Sequence, residues 1–360
     1  MPESRTVAIS LVIPCYNRSH DLHRVLAAYE GQKGDEPFEI IAIDDGSQDE
    51  TFALLSAYQP ERFSLRAIRQ ESNQGPAAAR NLGIDLASAP VILFAGDDIL
   101  PDPYMVLSHI IQHRRFPNPE TAILGRVQWP YDMPINTLMQ HIDGIGAQQF
   151  SYYYFKDEQE YDFRHFYTAN ISIKRNFLKS IGKAFDTGFK YAAFEDVELS
   201  YRLAQRGLRI IYSFLILGYH YHYHTIWSFS TRQYHTGLMA YKLVQQHPNV
   251  AGLIMGRGWL LDWLGWSSGA LLQPRVPLLT SELENACMHW LSAHEWEPHP
   301  LLDQAYLTVL RYYFKKGLID GAIKNPKLAG RVNHVHAQQT LGKLARDLEL
   351  SIAGSFPVQN

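Results

Sequence analysis

Short runs of β-branched and aliphatic residues alternate with amphipathic segments through the first hundred positions. Residues 7–13, 38–43 and 91–94 are short, mostly apolar runs of the length expected for buried strands. Between them, residues 21–29, 51–58 and 76–86 place apolar side chains at helical spacing. This alternation predicts a parallel sheet wound with helices. In such open sheets the ligand crevice lies beyond the carboxyl ends of the strands. Three polar clusters stand at those ends: Tyr16 with Asn17, Asp44 to Ser47, and Gly96 to Asp98. They are expected to converge on one cleft.

From about residue 107 to 168 the pattern loosens. A tyrosine-rich stretch (Tyr152, Tyr153, Tyr154, Tyr161, Tyr167) has neither helical nor strand period and reads as loops and irregular strands. Regular structure resumes with a helix near 175–180, a loop to 194, a helix over 197–206 and a strand over 208–214. Beyond residue 229 the chain reads as almost entirely helical, with segments near 231–246, 281–296, 301–316 and 337–350. These patterns predict a boundary near residue 230, between an α/β domain (1–230) and a helical C-terminal region (231–360). No repeat of fixed period and no low-complexity tract is present.

Composition narrows the partners. With 46% hydrophobic and 19% charged residues in 360, the chain reads as an ordinary soluble globular protein. A formal charge of -3 supplies no basic field for phosphate backbones, so nucleic acid is excluded as the expected partner. The two cysteines, Cys15 and Cys287, lie far apart, and the N-terminus lacks the layout of a signal peptide. A reducing, cytoplasmic compartment is the expectation. The apolar stretch 253–272 is broken by Arg257, Asp262 and several glycines, which argues against a membrane span. Its Trp259, Trp263 and Trp266 recur at helical spacing, which suits a core; contact with the inner face of a membrane is the alternative.

Four constellations carry candidate chemistry. Asp44-Asp45-Gly46-Ser47 ends a strand and precedes a helix, where carboxylates can accept from a base or ribose; the alternative is a turn with helix caps, the role given to Asp49 and Thr51. Adjacent acids at a buried strand end, Asp97 and Asp98, repel one another unless a cation or donors neutralise them, and Mg²⁺ or Mn²⁺ held by carboxylates and substrate phosphates fits that need. Glu195-Asp196 opens an amphipathic helix, either as caps or with Asp196 as a general base. His220, His222 and His224 alternate, so an extended strand would turn all three to one side; no zinc framework accompanies them, and one histidine joining Asp98 on a metal is preferred.

Taken in order, these clusters resemble the family 2 glycosyltransferases of the GT-A fold over roughly residues 7 to 230. Leu11 to Asn17 resembles the family's first strand and nucleotide loop, and residues 41–51 its second strand and Asp-Asp-Gly-Ser turn. Asn73-Gln74-Gly75 and Ala79-Arg80-Asn81 resemble the loop and helix that follow. Residues 94–101 are similar to the metal motif, although Ala95-Gly96-Asp97-Asp98 lacks an acid at the usual first place, which leaves Asp97 and Asp98 to do the work. Thr168 to Ser172, Gly182 and Phe185-Asp186 resemble the approach to the Glu-Asp base motif, so Asp196 falls on the catalytic base. Gly207 and His220 follow at the family's spacing, and Glu198 replaces a frequent Asp, placed to hold Arg202 or a donor hydroxyl.

The resemblance implies a Rossmann-like mixed sheet and an inverting, metal-assisted transfer from a nucleotide sugar, with UDP favoured, to a carbohydrate or glycolipid hydroxyl. Pro14, Tyr16, Asn17, Asp44, Asp45, Gly75, Arg80 and Asp97 would meet the nucleotide, with Asp45 accepting from the base. Asp98 with His220, and His222 as second choice, would hold Mn²⁺ or Mg²⁺. Bacterial polysaccharide or glycolipid assembly is the implied pathway. The tyrosine-rich stretch would border the acceptor or pack as core, and the C-terminal helices would serve acceptor, oligomer or membrane surface. A non-catalytic nucleotide-sugar binder or assembly protein is the competing reading.

Overall fold

The computed structural model describes residues 6–146, 148–255, 280–323 and 335–348. The chain divides into two compact units, residues 1–134 with 150–222, and residues 135–149 with 223–360. Residues 256–279, which hold Trp259, Trp263 and Trp266, lie outside the described residues.

In the first unit, β1 (Ile9–Cys15), β2 (Phe38–Asp44), β3 (Ser64–Arg69) and β4 (Val91–Ala95) are parallel neighbours in the order β3-β2-β1-β4. Helices α1 (Ser19–Glu30), α2 (Thr51–Ala57) and α3 (Pro76–Leu86) make the crossovers. Covered on both faces, β1, β2 and β4 are buried along nearly their whole length, which is why they read as largely apolar runs; the polar exceptions Ser10 and Glu39 are buried and hydrogen-bonded to each other. Edge strand β3 is half exposed and has no such run.

The chain continues through β5 (Ile99–Pro101), α4 (Met105–Arg115), β6 (Thr121–Gln128), α5 (Thr137–Asp143, part of the second unit), β7 (Glu160–Tyr161), β8 (Asn170–Lys174), α6 (Arg175–Lys179), α7 (Glu195–Ala204) and β9 (Arg209–His220). Strand β8 enters antiparallel between β4 and β6, β9 runs parallel to β6, and β5 and β7 pair antiparallel with β9. The sheet is therefore mixed and nine-stranded. The stretch expected to lack regular elements contains α4 and β6. Their periods are obscured by buried polar side chains, among them His109, His113 and Thr121.

Within the tyrosine-rich stretch, rings separate by environment. Tyr152, Tyr161 and Tyr167 pack with Phe150, Phe155 and Tyr212, including a stacked Phe155–Tyr161 pair with centroids 4.0 Å apart. Tyr153 and Tyr154 face solvent.

The β6–β9 pairing shifts register once. Thr121 to Gly125 pair with Arg209 to Ser213, after which Arg126 pairs with Leu217, so Phe214, Leu215 and Ile216 leave the ladder as a bulge. The fully buried Asn170 amide fills this irregularity, donating to the carbonyls of Arg126 at 3.1 Å and Ile216 at 3.2 Å. Glycine at 125 is required there, because a Cβ would collide with the Asn170 amide nitrogen. A single hydrogen-bond polarity satisfies the whole buried chain behind it. Lys174 donates to His113 (3.1 Å), His113 to Ser172 (2.8 Å), Ser172 to His109 (2.7 Å) and His109 to Asn170 (2.8 Å). This arrangement needs both imidazoles neutral. Burial agrees: it lowers His109 to about 4 and, with the charge of Lys174, holds His113 well below its ordinary value.

The described helices of the second unit are α5, α8 (Ile226–Gln246), α9 (Ala251–Met255), α10 (Thr280–Ala293), α11 (Leu302–Ile323) and α12 (Val335–Asp347). Thr225 caps α8 by accepting from the Ser228 amide while Ser228 Oγ accepts from the Thr225 amide, a reciprocal capping box. Helices α8 and α11 cross at backbone contact. A Cβ on Gly237 would overlap the Phe314 carbonyl oxygen, and one on Gly317 the Tyr234 carbonyl oxygen. Helix α5 is tied to the same unit by Thr137 Oγ1 to Tyr306 Oη (2.9 Å) and His141 to Asp303 (2.6 Å). No helix of the described residues is long and apolar enough to cross a membrane.

Two substitutions test this packing. Asn170→Ala leaves two buried carbonyls and the His109 N–H unsatisfied, and should lower unfolding free energy by about 2–4 kcal/mol in urea melts. A loss under half a kcal/mol would mean that the bulge is held by something else. Gly237→Ala should cost about 1–3 kcal/mol by forcing α8 and α11 apart, read as a drop in thermal midpoint; an unchanged midpoint would show that this crossing yields freely.

Candidate nucleotide and metal site

The turns at the carboxyl ends of β1, β2 and β4 are knitted to one another. Asn17, whose φ of 51° puts it in the left-handed region, donates its amide to Ser47 Oγ at 2.9 Å, and its side-chain oxygen accepts from the Gln48 amide. The Tyr16 amide donates to Asp97 at 3.2 Å, which joins the β1 and β4 ends. The Tyr16 ring is 43% exposed at this rim, and Pro14 is half-buried. The three polar clusters thus converge as expected.

Asp44 and Asp45 differ in what they hold. Asp44 is fully buried, accepts from the Ser47 amide at 3.2 Å and lies 3.3 Å from Arg69 Nε. Asp45 accepts from the Gln74 and Gly75 amides, both at 2.8 Å, and from Gln70 at 2.6 Å. Sequence reasoning assigned Asp45 to a base, whereas in the structure its oxygens fasten the 70–75 loop. Gly75, at φ 89°, adopts a conformation that favours glycine and leaves room for the nearby Lys190 carbonyl. Asp49 accepts from the amide and hydroxyl of Thr51 and from those of Ser19, which lower its pKa to about 2 against the effect of burial. It binds the starts of α1 and α2 together, a structural role like the one expected.

Beside these turns, β5 pairs antiparallel with the end of β9, with Ile99 opposite His220. The pairing sets Asp98 against the histidines: Asp98 Oδ2 lies 3.4 Å from His220 Nε2 and 3.2 Å from His222 Nδ1. One ligand atom from each of the three lies within 4.8 Å of the others. Among the described residues this is the one such group of potential metal ligands. Carboxylate oxygen with imidazole nitrogen is a donor set that Mn²⁺ and related divalent ions accept, so the residues present fit a metal. Trp129 stacks on His220 with centroids 5.3 Å apart and planes 12° from parallel, fixing the ring. The expectation that His224 shares the face of His220 and His222 requires correction. Strand β9 ends at His220, and His224 belongs to the second unit, buried against Phe229.

Gly96 also acquires a reason. A Cβ there would come within 2.7 Å of Asp98 Oδ1 and 3.1 Å of Ile99, so any side chain at this position would displace the Asp98 carboxylate. The acids are balanced unequally. Burial and the charge of Asp98 push Asp97 up to about 7 despite Arg18. Asp98 is held well below the usual carboxylate range: burial opposes this, but the charge of His220, hydrogen bonds from both histidines and the charge of Arg18 prevail. Sequence reasoning missed Arg18 and Trp129. Arg18 lies 2.9 Å from Asp98 and 3.3 Å from Asp97. The signal available for it was its place directly after the nucleotide loop.

The segment leading to Asp196 is anchored by α3. Arg80 Nη1 donates to Glu195 at 2.8 Å in a buried pair, and Asn81 exchanges two hydrogen bonds with the Phe185 backbone. Arg80, expected beside the nucleotide, is engaged with Glu195. Phe194, at φ 64°, turns the chain into α7 and leaves Asp196 half-buried in its first turn. Burial and the charge of Glu195 raise Asp196 to about 7, against Arg80 and the Val197 amide it accepts from. Glu198 holds Arg202 bidentately, both contacts 2.8 Å.

The chain is similar to several known proteins. Validoxylamine A glucosyltransferase from Streptomyces hygroscopicus subsp. limoneus is 31% identical over 57% of this chain and 49% of its own length. Hyaluronan synthase of Pasteurella multocida is 28% identical over 57% of this chain and 24% of its own. The Bacillus subtilis glycosyltransferase YfnE is 26% identical over 55% and 61%. The matches thus span from about a quarter to three fifths of those relatives. Among solved structures, S. aureus TarS residues 1–349 superposes with a TM-score of 0.52 at 14% identity, covering 98% of this chain and 94% of that one. Its complex with UDP-GlcNAc gives a TM-score of 0.50 at 15% identity, covering 85% and 91%. The architecture is therefore the GT-A fold followed by a helical region. The model of glycosyl transferase family 2 matches residues 10–192, and the chain belongs to that family.

Proposed function

We propose that the chain is an inverting, metal-assisted glycosyltransferase that moves a hexosyl group from a nucleoside diphosphate, with UDP favoured, to a hydroxyl of a carbohydrate or glycolipid. The observation that carries this reading is the convergence of Asp98, His220 and His222 beside the knitted turns of β1, β2 and β4. The UDP-GlcNAc complex of TarS and the glucosyltransferase and hyaluronan synthase relatives support the donor class. Residues 1–230 would hold the catalytic domain and 231–360 would serve the acceptor, an oligomer or a membrane surface, in a cytoplasmic protein.

Pro14, Tyr16, Asn17 and Asp44 would frame the nucleoside, with Asp45 and Gly75 holding the loop behind it. Asp97 would meet ribose or phosphate, and Arg80 would hold the base segment through Glu195. A divalent ion on Asp98, His220 and His222 would supply charge neutralisation for the departing diphosphate. Asp196 would take the acceptor proton as the hydroxyl oxygen bonds to the anomeric carbon and the bond to the diphosphate breaks on the opposite face. A carboxylate raised to about 7 by burial suits this task, because it is ionised at neutral to mildly basic pH and still basic enough to accept a proton.

Asp196→Asn should reduce transfer by about 10²–10⁴-fold while nucleotide affinity changes little; parallel loss of both would make Asp196 structural. In the unsubstituted enzyme kcat/KM should climb as pH rises through about 7, where Asp196 ionises, and level off above. A profile flat from pH 5 to 8 would remove Asp196 as the base. A panel of nucleotide sugars in thermal melts should show one class stabilising the protein in a Mn²⁺-dependent way, with the metal dependence lost in Asp98→Ala. Stabilisation by no nucleotide would count against a transferase and a nucleotide-sugar binder alike and favour an assembly protein.

A further inference from the structure

Arg18 occupies an unusual position for a side chain beside a divalent-metal site. Its Nη2 lies 2.9 Å from Asp98 Oδ2 and 2.9 Å from His222 Nδ1, and its Nε lies 3.3 Å from Asp97 Oδ1. Two of the three candidate ligand atoms are therefore already in contact with one cationic nitrogen. A divalent ion needs these atoms at roughly 2.0–2.3 Å, which requires the space that Nη2 now occupies. Two cations within about 4 Å on one carboxylate also repel strongly in a half-buried setting. The guanidinium and the ion exclude one another.

The backbone at this position is fixed while the side chain has somewhere to go. The Arg18 amide donates to Thr51 Oγ1 at 2.8 Å, which anchors the residue at the start of α1. The side chain keeps 23% of its surface in solvent, and Asp21 stands 3.9 Å from Nη1 as a second acceptor. A planar guanidinium is matched to phosphate oxygens by its paired donors. A diphosphate arriving at this cleft offers Arg18 replacement acceptors just as the ion claims Asp98.

We propose that Arg18 is a built-in counter-cation of the metal site, which keeps Asp97 and Asp98 neutralised in the nucleotide-free protein and yields to the metal when a nucleoside diphosphate binds. The proposal rests on the metal reading of Asp98, His220 and His222. It makes metal and nucleotide binding mutually reinforcing through Arg18, and by linkage each must strengthen the other equally.

The test is Mn²⁺ affinity, followed by the electron paramagnetic resonance signal of the free ion, for the unsubstituted protein, Arg18→Ala, Arg18→Lys and Asp98→Ala, without nucleotide and with saturating UDP. Arg18→Ala should bind Mn²⁺ about 5–10-fold more tightly without nucleotide, Arg18→Lys should stay nearer the parent, and UDP should strengthen Mn²⁺ binding far more in the parent than in Arg18→Ala. A merely structural role for Arg18 would not produce a gain in affinity. Equal or weaker Mn²⁺ binding by Arg18→Ala, with Asp98→Ala still abolishing it, would overturn the Arg18 proposal and leave the metal site standing. Absence of Mn²⁺ binding in the parent and in Arg18→Ala, with and without UDP, would overturn both. Should Arg18→Ala fail to fold, Arg18→Gln, which keeps a donor but loses the charge, decides by the same criterion.

Discussion

The geometry of the site depends on one buried amide. Asn170 reaches from β8 into the bulge of β9 and holds the carbonyls of Arg126 and Ile216, with His109 donating to it from α4. Three residues leave the β6–β9 ladder at this point, so everything downstream on β9 is displaced along its neighbour. That displacement brings Gly218, Tyr219 and His220 opposite Pro101, Leu100 and Ile99. Without the bulge, a different residue would face Ile99, and Asp98 would lack its imidazole partner. A hydrogen bond remote from Asp98 thus sets which side chains gather beside it.

The polarity of the chain behind Asn170 matters as much as its presence. From Lys174 through His113, Ser172 and His109 each group donates forward, which leaves no buried donor facing a donor. Such a line is rigid because reversing any member breaks its neighbours. The opposite character prevails at the cleft itself. There Asp97 and Asp98 sit side by side with different proton affinities, and Asp196 is held with a proton affinity far above that of a free carboxylate. Groups kept away from their preferred ionisation state need a surround that cannot relax around them, and the rigid sheet beneath supplies it.

Much of this was legible in the chain. Buried parallel strands announce themselves as short, largely apolar runs, so β1, β2 and β4 and the polar turns beyond them could be placed from sequence. The ordered series of motifs led to the family, and Asp98, His220 and His222 do come together. What escaped notice has a common cause. Strand β8 presents Asn170 and Ser172 to the interior and α4 presents His109 and His113, so polar residues occupy positions where an apolar pattern was sought. Strand β3 lies at an edge and is only half covered. The alternation of His220, His222 and His224 suggested a common face, yet a strand's end is decided by pairing partners, and β9 loses its last partner at Ile99. The engagements of Asp45 and Arg80 depend on a loop and a helix that approach from elsewhere in the chain, and no local pattern records them.

The connectivity of the two units has a further meaning. Because residues 135–149 leave the sheet-bearing unit and return to it, the polypeptide passes between the units three times, after residues 134, 149 and 222. Helix α5 is thereby packed with helices encoded more than a hundred residues later, through Tyr306 and Asp303. The helical portion is thus not a tail that can be cut away or exchanged at a single junction. Any shortened version ending near residue 230 would strand α5 without its neighbours. During synthesis, too, α5 must wait for α11 to emerge, so the helical unit can close only after the sheet's last strand has already been made.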